Sequence, residues 1–406
     1  MKQNYFIGLI ACAALTMTGC SNDEINVPQQ SQGNNAIEFS TYLGRNAQGS
    51  RSTETNTDSI KKNGFGVLAY YTEQADFAKT NKPNFMWNQK VTYDKTNTNW
   101  EYTPVKYWPT KVGDKVSFFA YAPYAANGNN KGIVLSGNSE TGAPTATITL
   151  PDDPSQTIDF VAAVQMNRTH DNSASANNNV SFTLLHEMTR VKVQAKLDKL
   201  VYKDSDPKHK TFVVIKNVTF NDKGQFYKSG KYTFSTTDGE RGTWTPTPNA
   251  STYTLNLNGV LNKTKITAKG ANGATTSGNY QAGVDGIKLT KKDTPEDLFK
   301  TNDYLYLIPV SANNGKGLTD GNATATIEYD IVTEDSKLVA GYSCTSATKT
   351  VLLPAGTLKQ GISYNYIFTI KLDEIVLNAT VNDEWDKPSD SNINVPYTPD
   401  DATKQN

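Results

Sequence analysis

Alternation is the feature that most limits what this chain can fold into. Tyr364, Tyr366, Phe368, Ile370 and Leu372 fall at every second position, as do Ala325, Ile327, Tyr329 and Ile331. Side chains two apart share one face of a strand, so this period buries one face of a sheet and leaves the other polar. Residues 191–197 repeat the pattern. Residues 64–71 form an almost unbroken apolar run, as expected of a strand covered on both faces. Residues 85–93 and 100–102 flank a polar turn at 94–99 and read as a hairpin. Further strands fall at 116–124, 145–150, 158–163, 180–185, 211–220, 253–257, 303–310 and 350–353. Helix-start chemistry occurs at 294–299, where Thr294 can cap and Pro295 can take the first helical position. About twenty short strands joined by polar turns, in two halves, predict an all-β chain of paired β-sandwiches.

The charge balance narrows the class of partner. Lys plus Arg and Asp plus Glu number 40 each, with no long run of one sign, so nucleic acid is not an expected partner. Cysteine is scarce: Cys12, Cys20 and Cys344 are the full set, and no internal disulfide is expected. Cys344 has no histidine partner in the pattern and reads as a small buried residue. His170, His186 and His209 are scattered, and 186–190 begins like a zinc-protease helix but lacks the second histidine. No nucleophile elbow, phosphate loop or dinucleotide fingerprint occurs. Asp152 and Asp153 suit a turn rather than glycoside hydrolysis. The chain reads as a non-enzyme that needs no cofactor and no metal.

The two ends carry the remaining information. Lys2 and the apolar run at 5–17 are too short to cross a bilayer and read as an export signal over 1–19. Met17-Thr18-Gly19-Cys20 resembles a bacterial lipobox, which implies acylation of Cys20, whose thiolate is a good nucleophile. Ser21-Asn22-Asp23-Glu24 resembles the acidic export tag of Bacteroidetes surface lipoproteins. Residues 20–35 then form a polar tether. Next comes a single alternating strand at 36–43, with Ile37, Phe39 and Thr41 in phase, followed by a polar loop at 44–59 that holds Arg45 and Arg51. A protease can excise such a strand without cutting into a core. At the far end, Ile393, Val395 and Tyr397 alternate in a tail too poor in apolar residues for its own core, yet able to add a strand to another sheet.

Taken together, several motifs resemble the fimbrillins of Bacteroidales, the subunits of type V pili. They are Cys20, Arg51-Ser52-Thr53, the 64–71 strand, the aromatic runs at 100–109 and 116–124, Leu184-Leu185-His186 and the 381–385 ending. The resemblance covers nearly the whole chain. It implies two transthyretin-like β-sandwich domains, expected at 36–198 and 199–388, with a tail at 389–406. It also implies a lipoprotein precursor carried to the outer membrane, where a trypsin-like, Arg-specific surface protease cuts after Arg51 or Arg45. Cutting removes residues 36–51, and a strand from the next subunit, with Ile393, Val395 and Tyr397 inward, fills the groove. Expected partners are other fimbrial subunits and an unidentified host or bacterial surface ligand. Pro396 departs from an ideal donor, because proline gives no ladder hydrogen bond and belongs at a strand edge or end. Asp58-Ser59-Ile60 resembles a Bacteroidetes O-glycosylation site. The alternative is a surface glycan-binding lipoprotein of a nutrient-uptake system, with Trp87, Trp100 or Trp108 stacking on sugar. That protein would keep its lipid and stay monomeric, although aromatic residues at strand spacing more often pack a sheet.

Overall fold

The computed structural model describes residues 35–395 apart from 44–53, 172, 174–175, 200–209, 223, 225, 267, 270–274, 277–284, 293, 301–302, 311–316, 336, 339–340, 372–374 and 385–393. Cys20, Arg45, Arg51, Ile393 and Tyr397 therefore lie outside the described residues. The first strands are β1 (Glu38–Leu43), β2 (Phe65–Tyr71), β3 (Met86–Asp94), β4 (Asn99–Glu101) and β5 (Lys115–Ala122). Then follow β6 (Asn129–Asn130), β7 (Ile133–Leu135), β8 (Thr145–Thr149), β9 (Val161–Thr169), β10 (Asn179–His186) and β11 (Thr189–Leu197). The middle of the chain gives β12 (Thr211–Asp222), β13 (Ser229–Thr233), β14 (Thr243–Thr247), β15 (Thr254–Asn256), β16 (Thr264–Lys265), β17 (Ala268–Lys269) and β18 (Thr275–Thr276). The last are β19 (Asp285–Leu289), β20 (Glu296–Asp297), β21 (Leu305–Leu307), β22 (Ala323–Glu334), β23 (Tyr342–Leu352), β24 (Ile362–Ile370), β25 (Ile375–Glu384) and β26 (Asn394–Val395). One short helix, α1 (Thr57–Asn63), stands between β1 and β2.

Four larger sheets organise these strands. A seven-stranded sheet runs β1-β10-β9-β5-β2-β3-β4, and a five-stranded sheet runs β14-β13-β8-β7-β6. The second half holds β20-β11-β24-β25-β26, with β21 beside β11, and β16-β19-β12-β22-β23, with β15 beside β12. The all-β expectation holds. The sheets do not separate at 198/199, however. The hairpin β13–β14 pairs with β8 of the first half, and β11 runs parallel to β24 of the second. Packing explains the crossing. Tyr232 and Phe234 on and after β13 lie edge-on to Phe160, at 5.3 and 6.3 Å between ring centroids. The hairpin therefore follows its aromatic side chains into the first half's core.

The seven-stranded sheet is buried on both faces, as the run at 64–71 predicts. Leu68 and Tyr70 of β2, with Phe119 and Tyr121 of β5, face the five-stranded sheet. Phe65, Val67 and Ala69, with Val116, Phe118 and Ala120, face a separate core. Partway along, β10 changes neighbour: its residues 179–184 pair with β1, while Leu185 and His186 pair with β9. That switch lets β1 and the start of β10 fold over the second core as a layer of their own.

Three local expectations need correction. Residues 294–299 are extended rather than helical: β20 pairs with β11, and Leu298 and Phe299 are buried. A segment this short gains little from a helix by itself, so pairing with β11 and burial of Leu298 and Phe299 decide its conformation. The helix is α1, inside the segment read as polar loop. Asn56 and Ser59 form its capping box, and Ile60 is its buried residue. Ser59, at the glycosylation-like motif, donates to the Asn56 carbonyl at 2.9 Å and accepts from its N–H at 2.8 Å. Cys344 is half-buried on β23, a sheet-edge strand, rather than fully buried. Beyond these, β13 and β14 escape sequence reading because Ser-Gly-Lys-Tyr-Thr and Thr-Trp-Thr-Pro-Thr look like turns and carry little alternation.

Close packing between β2 and β5 sets a sensitive point. A Cβ on Gly66 would stand 2.2 Å from Cε1 of Tyr121, whose hydroxyl donates to Asn88 Oδ1 at 2.5 Å. Gly66→Ala therefore overpacks the central sheet and displaces a buried ring. Urea unfolding should show a loss of about 1–3 kcal/mol, while Gly239→Ala, which meets nothing within 4 Å but has a φ of +74°, should lose only the smaller backbone-strain amount.

Candidate functional site

The candidate site is the seat of β1. Ile37, Phe39 and Leu43 are 1%, 2% and 4% exposed, with Thr41 half-buried and Tyr42 turned outward. The alternation read for Ile37, Phe39 and Thr41 is thus the inward face, and Leu43 extends it. Phe39 is the centre. Its ring stacks on Phe182 at 5.9 Å, meets Tyr102 at 5.1 Å, and lies edge-on to Phe118 at 6.0 Å and Phe65 at 6.5 Å. Burying a phenylalanine contributes roughly 1.5–3 kcal/mol, and each aromatic pair adds about 0.5–1.5 kcal/mol. Phe39 therefore contributes more to the hold of the groove on β1 than any other side chain of the strand, with Ile37 and Leu43 adding their own burial.

The backbone of β1 is held unequally on its two sides. On one side it runs parallel to β10, from Glu38 opposite Asn179 to Leu43 opposite Leu184, and Glu38 N–H donates to the Asn178 carbonyl at 3.0 Å. On the other side only its start is paired. Ile37 N–H donates to the Lys106 carbonyl at 2.9 Å, and Trp108 N–H donates to the Asn35 carbonyl at 2.8 Å. The Tyr102 hydroxyl adds a clasp, donating to the Ile37 carbonyl at 2.8 Å and accepting from Lys106 N–H at 3.2 Å. Burial pushes the Tyr102 phenol up to about 12, so the clasp keeps its proton at neutral pH. From Glu38 onward this side of β1 is the edge of its sheet.

Beyond residues 44–53 the chain is pinned again. Glu54 Oε1 lies 2.7 Å from Arg190 Nη1 in a buried ion pair, and Arg190 Nε donates to Ser363 Oγ at 3.0 Å. The guanidinium also sits 4.4 Å over the ring of Tyr304. Next door, Thr55 N–H donates to Asp159 Oδ2 at 2.8 Å, and its hydroxyl donates to the Asp159 carbonyl at 2.6 Å. His186 Nδ1 lies 2.9 Å from the same carboxyl. His186 is thus a buried partner of Asp159 at the end of β10. A cavity of about 610 Å³ opens beside this cluster, bordered by Glu54, Thr55, Ile60 and Asp159. Among the described residues, no group of three or more His, Cys, Asp or Glu could hold a metal ion.

The three tryptophans are engaged in packing. Trp108 is buried, donates to the Asn178 carbonyl at 3.1 Å and stacks on His170 at 5.3 Å. Trp100 is half-buried between Phe65 and Tyr93, and Trp87 is half-buried with its indole N–H on the Ser136 carbonyl at 3.0 Å. In the tail, Val395 lies in β26, which pairs with β25 at Ala379↔Val395 and Thr380↔Asn394. Asn394 and Val395 thus lie beside β25 rather than in the seat of β1. Sequence reading found the inward residues of β1 but not the Glu54–Arg190 and Thr55–Asp159 anchors. Their signal is weak, because a Glu-Thr pair in a polar stretch carries no period.

Residues 50–385 match the fimbrillin-like family. The chain belongs to that family. It is 31% identical over 405 residues to Fimbrium subunit Fim1C of Phocaeicola vulgatus, covering 95% of this chain and 98% of that protein. The crystal structure of a fimbrial protein from Bacteroides vulgatus superposes with a TM-score of 0.70 at 28% identity, covering 87% of this fimbrillin-like chain and 100% of that chain.

The anchor gives a pH dependence. Burial, with the Glu54 carboxylate beside it, raises the Asp159 carboxyl well above its ordinary range, while Thr55 N–H and Arg190 oppose the shift. An unfolded Asp titrates at about 3.9. Above that value the folded chain still holds this proton, so it binds more protons than the unfolded chain and the contribution of Asp159 to stability falls as pH rises. Asp159→Asn removes that slope. Urea midpoints taken from pH 4 to 8 should move in favour of the variant, relative to wild type, as pH increases.

Proposed function

We propose that this chain is a structural subunit of a surface fimbria, assembled by protease-triggered exchange of β1 for a strand from the next subunit. The observation that carries this reading is the seat of β1. The strand fills an aromatic groove, yet its only covalent link to the rest of the fold is residues 44–53, which contain Arg45 and Arg51. A cut after Arg51, the favoured position, leaves Glu54 and Thr55 on their buried anchors, so the new chain end stays fixed while β1 is freed. An empty groove exposes Phe65, Phe118 and Phe182 and leaves one side of β10 without hydrogen-bond partners, both unfavourable in water. An alternating strand restores burial and ladder together, as in β-augmentation. The tail residues Ile393, Val395 and Tyr397 supply that pattern.

In this reading the precursor reaches the outer membrane as a lipoprotein anchored through Cys20, and removal of β1 releases the lipid with it. The sandwiches act as transthyretin-like modules, and adhesion to a host or bacterial surface belongs to the assembled fimbria. An Arg-specific surface protease and neighbouring fimbrial subunits are the working partners. The glycan-binding alternative draws no support from Trp87, Trp100 or Trp108, whose rings are committed to packing.

The test is limited digestion of the purified precursor with an Arg-specific protease, followed by N-terminal sequencing, size exclusion and electron microscopy. A new end after Arg51 or Arg45 and subsequent ladders or filaments are expected. Deleting residues 389–406 should abolish growth, and Arg45→Gln with Arg51→Gln should block it at the cut. A cut chain that stays monomeric with its tail intact would overturn the reading. Phe39→Ala in the uncut precursor should cost about 3–5 kcal/mol in unfolding free energy.

A further inference from the structure

We propose that the tail of a second copy enters the groove antiparallel to β10, opposite in direction to β1. Tyr397 then takes the place of Phe39, Val395 that of Thr41 and Ile393 that of Leu43. This inference rests on the exchange reading above and adds the direction and register of the donor.

The handedness of a strand ties its direction to the side its backbone groups face. Along β1 the inward residue Ile37 directs its N–H to Lys106, away from β10, whereas the outward residue Glu38 directs its N–H to Asn178, on β10's side. Backbone groups alternate from side to side along a strand, so inward residues of β1 point away from β10 and outward ones toward it. Turning a strand end for end while keeping the same side chains inward is a rotation about the sheet normal. That rotation exchanges the two lateral sides. In a reversed donor, Ile393, Val395 and Tyr397 turn both N–H and C=O toward β10, and Asn394 and Pro396 turn toward the sheet edge.

Within the donor run 393–397, Pro396 then favours one direction, while Pro399 lies past Tyr397 at the end of the strand, where proline is tolerated in either direction. Pro396 has no N–H to give. Inserted in the direction of β1, it faces β10 and leaves a ladder carbonyl there without its donor. Inserted in reverse, it faces the edge, where β1 itself has no strand neighbour from Glu38 onward and where proline is tolerated. Because Asn178 presents its carbonyl to β1, Val180, Phe182 and Leu184 present theirs by the same alternation. They stand opposite Phe39, Thr41 and Leu43. A reversed donor therefore pairs Tyr397 with Val180, Val395 with Phe182 and Ile393 with Leu184 through full antiparallel hydrogen-bonded pairs.

Side-chain volume gives a second, independent argument. The inward positions of β1 run Ile37, Phe39, Thr41, Leu43. Read in reverse from Tyr397, the donor places an aromatic ring among Phe65, Tyr102, Phe118 and Phe182, a valine at a threonine of like shape, and an isoleucine at a leucine. In the forward direction with Ile393 at Ile37, valine sits in the aromatic box and leaves it underfilled, while Tyr397 crowds the Thr41 position. Both underfilling and overfilling destabilise a packed site.

Disulfide trapping separates the possibilities. In the reversed register Asn394 lies opposite Thr183, an exposed residue, as a non-hydrogen-bonded pair whose spacing suits a disulfide. In the forward register with Ile393 at Ile37 it lies opposite Asn179 instead. The full chain carrying Cys12→Ser, Cys20→Ser and Cys344→Ser receives Asn394→Cys together with either Thr183→Cys or Asn179→Cys. Each is digested with an Arg-specific protease, oxidised and run without reductant. Cross-linked ladders are expected for the Thr183 pair, at least tenfold more than for the Asn179 pair, and none before the cut. Preferential linkage at Asn179, linkage within a single chain, or filaments without linkage at Thr183 would overturn the direction and register. Failure to form any multimer would instead overturn the exchange reading itself. As a second readout, Pro396→Ala should leave subunit dissociation unchanged. A forward donor would gain one hydrogen bond and dissociate about fivefold more slowly, an outcome that also overturns the proposal.

Discussion

The occupancy of the β1 seat is the constraint on which the first half of the molecule depends. The second core has no cover from the five-stranded sheet, which lies on the opposite face. It is closed by β1, the first part of β10 and the segment around Tyr102 and Trp108. Phe65, Phe118 and Phe182 come from three different strands and meet at Phe39. A strand in this position is a structural necessity whatever chain supplies it. The fold fixes the shape and hydrogen-bond pattern of the occupant, not its identity.

The buried polar cluster after residue 53 is the counterpart of that seat. Taking Glu54, Arg190 and Asp159 out of water is expensive, and a buried ion pair is weak grounds for stability by itself. The cluster makes sense as a fixed point. Arg190 lies on β11, Asp159 precedes β9, His186 ends β10 and Ser363 lies on β24, so one set of contacts joins elements of both halves to the start of α1. β10, β11, β24 and the segment before β9 are therefore tied to the start of α1 by contacts that do not pass through residues 44–53.

Much of the fold was legible because period-two patterning survives wherever a sheet has one wet face. β24 and β22 were readable residue by residue, although Ile331 is only half-buried and Val332, on the opposite face, is the one packed against Phe212 and Val214. β2 was readable from its unbroken apolar run. Ile37, Phe39 and Thr41 followed from alternation alone. What stayed hidden depends on contacts between distant segments. The β13–β14 hairpin needs Phe160 and β8 to make sense, and its sequence looks like turn. The extended conformation of 294–299 is imposed by β11, against local helix signals. The Glu54 and Thr55 anchors meet partners more than a hundred residues away. Sequence reading also treated Pro396 as a defect in the donor. Beside the backbone directions of β1 it becomes information about orientation.

In the proposed exchange, the same geometry makes a cut the step that favours a donor over β1. While residues 44–53 are intact, β1 is a tethered ligand at an effective concentration of about millimolar. It fills four inward positions with Ile37, Phe39, Thr41 and Leu43. The tail offers Ile393, Val395 and Tyr397, and in the same chain Asn394 and Val395 are paired with β25. A free tail therefore competes poorly against a tethered strand that has more contacts. Severing the link removes the concentration term but none of the contacts, so β1 remains bound until it dissociates. Each departure is then open to a donor that arrives tethered to a whole folded subunit. Under the proposed exchange, once a reversed donor has paired three residues with Val180, Phe182 and Leu184, the severed β1 has no link to this subunit from which to return.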